Sequence, residues 1–149
     1  MNPPPAFPAT LTNADASDDT AALAALLAHF DCQAGSVYRM ADGVLRLAAA
    51  HHLPPPVVEL VRVVPVGKGL AGLAAQTRAP VSLCNLPTDP SGHARPAAKS
   101  TGMEGSIAVP MLTAEGELRG VLGLAKAIAH DWTDAEKSQL IALATLLAK

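Results

Sequence analysis

The segment Gly120-Val121-Leu122-Gly123-Leu124 is apolar at almost every position, and this constrains the chain most. A short run of this kind reads as a strand covered on both faces, because a half-exposed strand would alternate apolar with polar residues. It lies within an apolar stretch from Leu118 to Ala127, joined to Ser106–Leu112 by a polar turn around Glu115-Gly116. A second hairpin is predicted from Ser36–Met40 and Val44–Ala50, with Ala41-Asp42-Gly43 between them. Asp-Gly between apolar runs favours a tight turn, since glycine takes a positive φ at no steric cost. Hairpins pair antiparallel, which sets the sheet type.

Helices are predicted around these hairpins. Ser17, Asp18 and Asp19 offer N-cap oxygens and favourable charge ahead of a stripe formed by Leu23, Leu26, Leu27 and Phe30. Pro54-Pro55-Pro56 starts a short helix through Val57, Val58, Leu60 and Val61, with proline tolerated only in its first turn. Val66–Gly72 is dense in glycine and leads into a helix to Thr77, which Ala79-Pro80 ends before a strand at Val81–Cys84. Thr133-Asp134-Ala135-Glu136 matches a capping box, and the closing helix is expected to run to Lys149, with no glycine stop. The order is helix, hairpin, short helix, helix, strand, long connection, hairpin, helix, which predicts an α+β fold with the terminal helices on one sheet face. Asn85–Gly105 is the long connection, with a short helix expected at 97–101; connections of that length are usually functional. Residues 1–17, with their MNPPPAFPA start, are predicted to be a flexible proline-rich arm.

Half of the 149 residues are hydrophobic and 16% are charged, the balance of one globular domain. The formal net charge of −2 and the wide spacing of Phe7, Phe30, Tyr38 and Trp132 argue against nucleic acid, which needs a basic face and stacking aromatics. The N-terminus lacks a charged and an apolar signal region, and the longest apolar run, Leu140–Ala148, is about half the roughly 20 residues of a membrane span. The expectation is a soluble cytoplasmic protein without membrane contact. Cys32 and Cys84 do not make a disulfide framework and read as free thiols.

Little catalytic chemistry stands out. Gly67-x-Gly69-x-x-Gly72 matches a dinucleotide fingerprint, but no βαβ unit or following acidic residue accompanies it, so it reads as a tight turn with close helix packing. No Cys-x-x-Cys or His-x-x-x-His spacing occurs, and His51-His52 on a strand would face opposite ways, so no metal site is expected. His29 reads as decorating the end of the first helix. No paired carboxylates or nucleophile–base pair appear, so the chain is read as no enzyme and is assigned no catalytic residue.

Several segments together resemble the GAF domain family. Pro65-Val66-Gly67-Lys68-Gly69-Leu70-Ala71-Gly72 is similar to the family's Gly-x-Gly-Leu-x-Gly segment, and Ala79–Leu83 to the strand entry after it. Ser106–Met111 and Gly120–Leu124 resemble the two central strands, and Trp132–Glu136 the start of the last helix. The likeness covers residues 18–149 and implies a six-stranded antiparallel sheet with helices packed on one face and a ligand pocket on the other, a GAF/PAS-like fold. It implies a non-catalytic sensory or regulatory domain that binds an unidentified small intracellular molecule or relays signals through protein contacts, with the cofactor left open. With no effector domain attached, the signal is expected to pass to another chain.

The pocket is expected between the sheet and the Asn85–Gly105 connection, with Leu83, Asn85, Asp89, His93, Arg95 and Met103 as candidate ligand-binding residues. Two alternatives are weighed. One branch of the family reduces free methionine-R-sulfoxide with clustered pocket cysteines, but this chain has none near Gly69–Gly72 or between Asn85 and Pro110. Cys84 is followed by Asn85 and not by the histidine usual at a bilin attachment site, so it reads as a buried small hydrophobe. The cyclic-nucleotide motif of the family is missing as well. The second alternative is a purely structural dimerisation domain. A homodimer through the terminal helices is expected, since Ile141, Leu146 and Ala148 fall outside the stripe of Leu140, Leu143, Ala144 and Leu147.

Overall fold

A computed structural model of the chain describes residues 19–53, 55–83 and 103–148. The proline-rich arm, Cys84 and most of the long connection lie outside the described residues. The elements are α1 (Asp19–Phe30), β1 (Ala34–Ala41), β2 (Val44–His51), α2 (Pro55–Val61), β3 (Val63–Pro65), α3 (Gly69–Thr77), β4 (Val81–Leu83), β5 (Gly105–Leu112), β6 (Leu118–Lys126) and α4 (Asp134–Leu147). They build the expected six-stranded antiparallel sheet, in the order β3-β2-β1-β6-β5-β4. β6 sits between β1 and β5, as its apolar sequence requires.

Asp42 and Gly43 take φ of 55° and 80° and close the first hairpin as a turn with two left-handed residues, whose twist matches the strands it joins. Between Val37 and Tyr38 the register slips, leaving Ala48 as an extra residue in β2 and bending the sheet there. β3 is the one strand that the residue pattern does not reveal. Its three residues are too few to display alternation, and it pairs only with β2, at the sheet edge.

The terminal helices cover one face. Leu23, Leu26, Leu27 and Phe30 of α1 and Leu140, Leu143 and Leu147 of α4 pack on Val37, Ile107, Val109, Leu122 and Leu124 of the sheet. Each leucine removed from water in this way contributes roughly 1.5–3 kcal/mol of transfer free energy. Leu146 and Ala148 also lean on this core, whereas Ile141 stays 41% exposed. Leu146 and Ala148 therefore belong less to a free apolar surface than the sequence stripe suggests. A helix packed on a core buries an arc of at least about 100°, wider than its central leucine stripe.

Sheet-borne cations hold both helices at their ends. Arg39 of β1 donates through Nε to the Asp19 carboxylate at 3.0 Å and through Nη1 to the Leu147 carbonyl at 2.7 Å. One guanidinium thus joins the start of α1 to the end of α4. Lys126 of β6 is buried, and its Nζ donates to the Phe30 and Asp31 carbonyls at 2.6 and 3.1 Å while standing 5.7 Å from the centre of the Trp132 ring. Both cations meet C-terminal helix carbonyls, where the helix dipole is negative. Trp132 Nε1 is buried and has no partner among the described residues.

The opposite face carries a second core in which Ala74 and Ala75 of α3 pack with Leu45, Val64, Ala108 and Val121 of the sheet; α2 lies on the same side, where Val57 and Val61 face the cavity described below. The glycine string is the predicted turn: Gly67 and Gly69 take φ of 93° and 65°, and a Cβ on Gly72 would fall 2.5 Å from the Pro65 carbonyl oxygen. No helix among the described residues is long and apolar enough to cross a membrane.

The predicted capping box starts α4. The Thr133 hydroxyl accepts from the Glu136 N–H at 3.1 Å, and the Glu136 carboxylate accepts from the Thr133 N–H at 2.9 Å. His130 Nε2 lies 2.9 Å from the same carboxylate. Burial by itself would raise the Glu136 pKa, but the Thr133 N–H, the His130 ring and the Thr133 hydroxyl outweigh it and hold the pKa below the ordinary 4.5. A pKa depressed by folding stabilises the fold above the unfolded value, and that stabilisation is lost as pH falls through the folded value. Stability is therefore expected to drop as pH is lowered below about 4.5, more steeply in the natural chain than in Glu136→Gln; urea unfolding followed by Trp132 fluorescence across this range checks it.

Candidate functional site

The face of the sheet under α2 and α3 is built from small side chains. Strand register aligns Ala34 of β1, Ala125 of β6 and Ser106 of β5 in one cross-strand row, and Ser36, Gly123 and Ala108 in the next. In the third row Tyr38 stands beside Val121, where bulk returns. The other face of these strands carries Val37, Leu122 and Val109 in the corresponding row. Alternation along a strand sends successive residues to opposite faces, so the same three strands offer a bulky face to the terminal helices and a shallow one to the other side.

The shallow rows leave a cavity of about 130 Å³. Val57 and Val61 of α2, Ala71 of α3, Leu53 and Met103 form its remaining walls. Tyr38 closes one end, and its hydroxyl donates to the Val61 carbonyl at 2.8 Å, holding the end of α2 over the sheet. Beyond Tyr38, a smaller cavity of about 90 Å³ runs to Lys68, Gly69 and Leu70 at the start of α3. Among the described residues that line the larger cavity, no side chain is charged; its polar side-chain groups are the hydroxyls of Ser36, Ser106 and Tyr38.

Of the candidate ligand-binding residues, Met103 lines this cavity. Leu83 is buried at the end of β4, packed with Leu70 and Met103. Asn85, Asp89, His93 and Arg95 lie outside the described residues. Sequence reading did not single out Ser36, Ser106, Tyr38 or Gly123. The available signal was the small residue at every second position of three strands, but it marks a cavity only once register places those positions side by side.

Other reactive groups lie elsewhere. Cys32 belongs to the core beneath the terminal helices, on the face away from the cavity. Burial is the main cause that pushes its thiol pKa up to about 11, against the opposing pull of Lys126. The His51 and His52 rings lie 4.2 Å apart and do not point to opposite faces. The strand ends at His51 and His52 takes φ of 57°, so strand alternation no longer governs the pair. Among the described residues no three histidine, cysteine or acidic groups come together as a metal site. His29, at the end of α1 as expected, stands edge-on to Phe30 with ring centres 4.9 Å apart.

A family model described as a GAF domain matches residues 20–149. Among solved structures, the GAF domain of a phosphoenolpyruvate-protein phosphotransferase from Coxiella burnetii is 24% identical, with a TM-score of 0.71 over 91% of this chain and 79% of that one. A free methionine-R-sulfoxide reductase from Neisseria meningitidis, solved with its substrate, is 21% identical, with a TM-score of 0.71 over 91% and 75%. A type II free methionine-R-sulfoxide reductase from Thermoplasma acidophilum is 18% identical, with a TM-score of 0.71 over 91% and 92%. Likeness at this level of identity shows the fold, which regulatory domains and enzymes share. No curated protein sequence matches the chain.

The Tyr38 hydroxyl is the tie between sheet and α2, and its removal is testable. Tyr38→Phe keeps the ring and loses a hydrogen bond worth about 1 kcal/mol. Amide exchange in residues 55–61 should quicken several-fold while exchange in α4 stays as it was. Unchanged protection of α2 in hydrogen-exchange mass spectrometry would show that the bond does not hold this wall in place.

Proposed function

The chain belongs to the GAF family, and we propose that it is a non-catalytic sensory or regulatory domain whose cavity takes a small molecule. The observation that carries this reading is the cavity itself: a partly open, mostly apolar space with a few hydroxyls, walled by a short helix that the Tyr38 hydroxyl ties to the sheet. A ligand there touches α2 and α3 and the central strands together, and those strands bear the terminal helices on their other face. Such a ligand can bias the helices without reacting.

The reductase reading is the competitor, because enzymes of that kind share the fold. That chemistry needs an attacking thiolate beside the substrate. Cys32 offers a buried thiol of raised pKa on the opposite face, which supports the non-catalytic reading. Cys84 lies outside the described residues and is tested directly. Native mass spectrometry of the purified protein should find a retained small molecule or a mass shift on ligand addition. In a thioredoxin-coupled assay, free methionine-R-sulfoxide should be turned over no faster than background. A turnover lost in Cys84→Ser would overturn the non-catalytic reading.

The same reading includes a homodimer through α1 and α4, which would carry the signal to a second chain. Ile141 is the large exposed apolar residue on α4, and the exposed Ala24 and Ala28 leave α1 low enough for close approach. Ile141→Glu should give a soluble monomer where the natural chain sediments as a dimer; a natural chain that is monomeric at high concentration removes the dimer from the proposal.

A further inference from the structure

The cavity over the two small-residue rows limits what it can hold, and we propose that its ligand is an uncharged molecule of single-ring size with one hydroxyl group, of the phenol class, received by Ser36. This rests on the ligand-binding role proposed above and adds the chemical class.

Size is the first restriction. The cavity measures about 130 Å³. An apolar protein cavity of about 150 Å³ holds benzene, whereas drug-sized ligands occupy sites of roughly 300–1,000 Å³. A six-membered ring with one small substituent fits within it; a nucleotide or a tetrapyrrole would have to extend out through the open side.

Charge is the second restriction. A carboxylate or ammonium taken out of water needs an opposite charge or several hydrogen bonds in exchange. Among the described residues of the cavity wall there is no charged side chain. The ring faces of the ligand would instead meet Ala34, Ala125 and Ala108 below and Val57, Val61 and Leu53 above.

The polar contact is the third. Ser36 on β1 and Ser106 on β5 stand in adjacent rows with β6 between them, so they are two strands apart, roughly 10 Å. A single-ring molecule with one polar group reaches one of them. Ser36 is favoured because its neighbour across the strand pair is Gly123, where an added Cβ would lie 2.8 Å from Ser36 Oγ. The absence of that Cβ leaves the Ser36 hydroxyl lying over the centre of the floor. Ser106, opposite Ala125, sits at the margin of the row.

The test uses four probes on the full chain by ligand-observed NMR and titration calorimetry: phenol, toluene, benzoate and methionine sulfoxide. Phenol is expected to bind most tightly, toluene more weakly, and the two charged probes not at all. Ser36→Ala should weaken phenol about five- to tenfold and leave toluene unchanged. Ala125→Val, which fills the floor, should remove both; if that variant does not fold, Leu53→Trp narrows the same space from the other side. Phenol affinity unaffected by both filling variants, or unaffected by Ser36→Ala, would overturn the proposal. Tighter binding of benzoate or methionine sulfoxide that Ala125→Val abolishes would overturn the ligand class and leave the ligand-binding role standing. Failure of all four probes overturns the class too, and the role falls with it if native mass spectrometry also finds no retained molecule.

Discussion

The central strands of this domain must be covered on both sides, and they meet that demand with two unequal faces. β6 lies between β1 and β5, and its side chains alternate between Leu122 and Leu124 on one side and Val121, Gly123 and Ala125 on the other. The leucine side packs against two long helices and leaves no room. The small side leaves a gap beneath α2, closed at one end by Tyr38, whereas α3 packs on the sheet where Ala74 and Ala75 join Leu45, Ala108 and Val121. Close packing elsewhere turns this deficit into a cavity, because interiors are dense and a space of this size is not closed by small relaxations. The site and the core thus arise from one sequence alternation read from its two sides.

The helices on the leucine side depend on charges that the sheet supplies. Lys126 is nearly inaccessible and would be costly if unpaired, yet two carbonyls at the end of α1 and the Trp132 ring surround it. Arg39 serves α4 in the same way and adds the carboxylate of Asp19. α1 closes on Asp31 in the left-handed conformation, with the Asp31 and Cys32 N–H groups bonding the Ala28 and Leu27 carbonyls; Lys126 takes the next carbonyls, of Phe30 and Asp31, and Arg39 takes that of Leu147 at the end of α4. The arrangement also fixes where the ends of α1 and α4 lie relative to the strands that floor the cavity. It gives the proposed relay a physical route: a shift of β1 reaches α4 through Arg39.

Local signals were legible wherever a few neighbouring residues decide the outcome. The Asp42-Gly43 turn, the Thr133–Glu136 capping box, the glycine turn before α3 and the leucine stripes of α1 and α4 are all such cases. β3 was not legible, since three residues paired only at the sheet edge carry no period. The partial burial of Leu146 depended on how α4 lies on the core, and the contact of the His51 and His52 rings on one left-handed residue. The polar residues of the long connection drew attention as a site, whereas the described cavity is floored by alanine, serine and glycine, which look inert in a sequence.

The sequence by itself determined the antiparallel sheet, the two-sided burial of β6, the helix starts and the family, because periodicity, turn chemistry and caps act over a few residues. Only the tertiary structure decided that Ser36, Gly123 and Ala108 share a row, that Arg39 meets both Asp19 and Leu147, and that Cys32 lies on the face away from the cavity. Those relations join residues as far as 108 positions apart. Their physical cause is strand register, which no single segment carries: it is fixed when the bulky faces of all the strands turn together toward the same pair of helices.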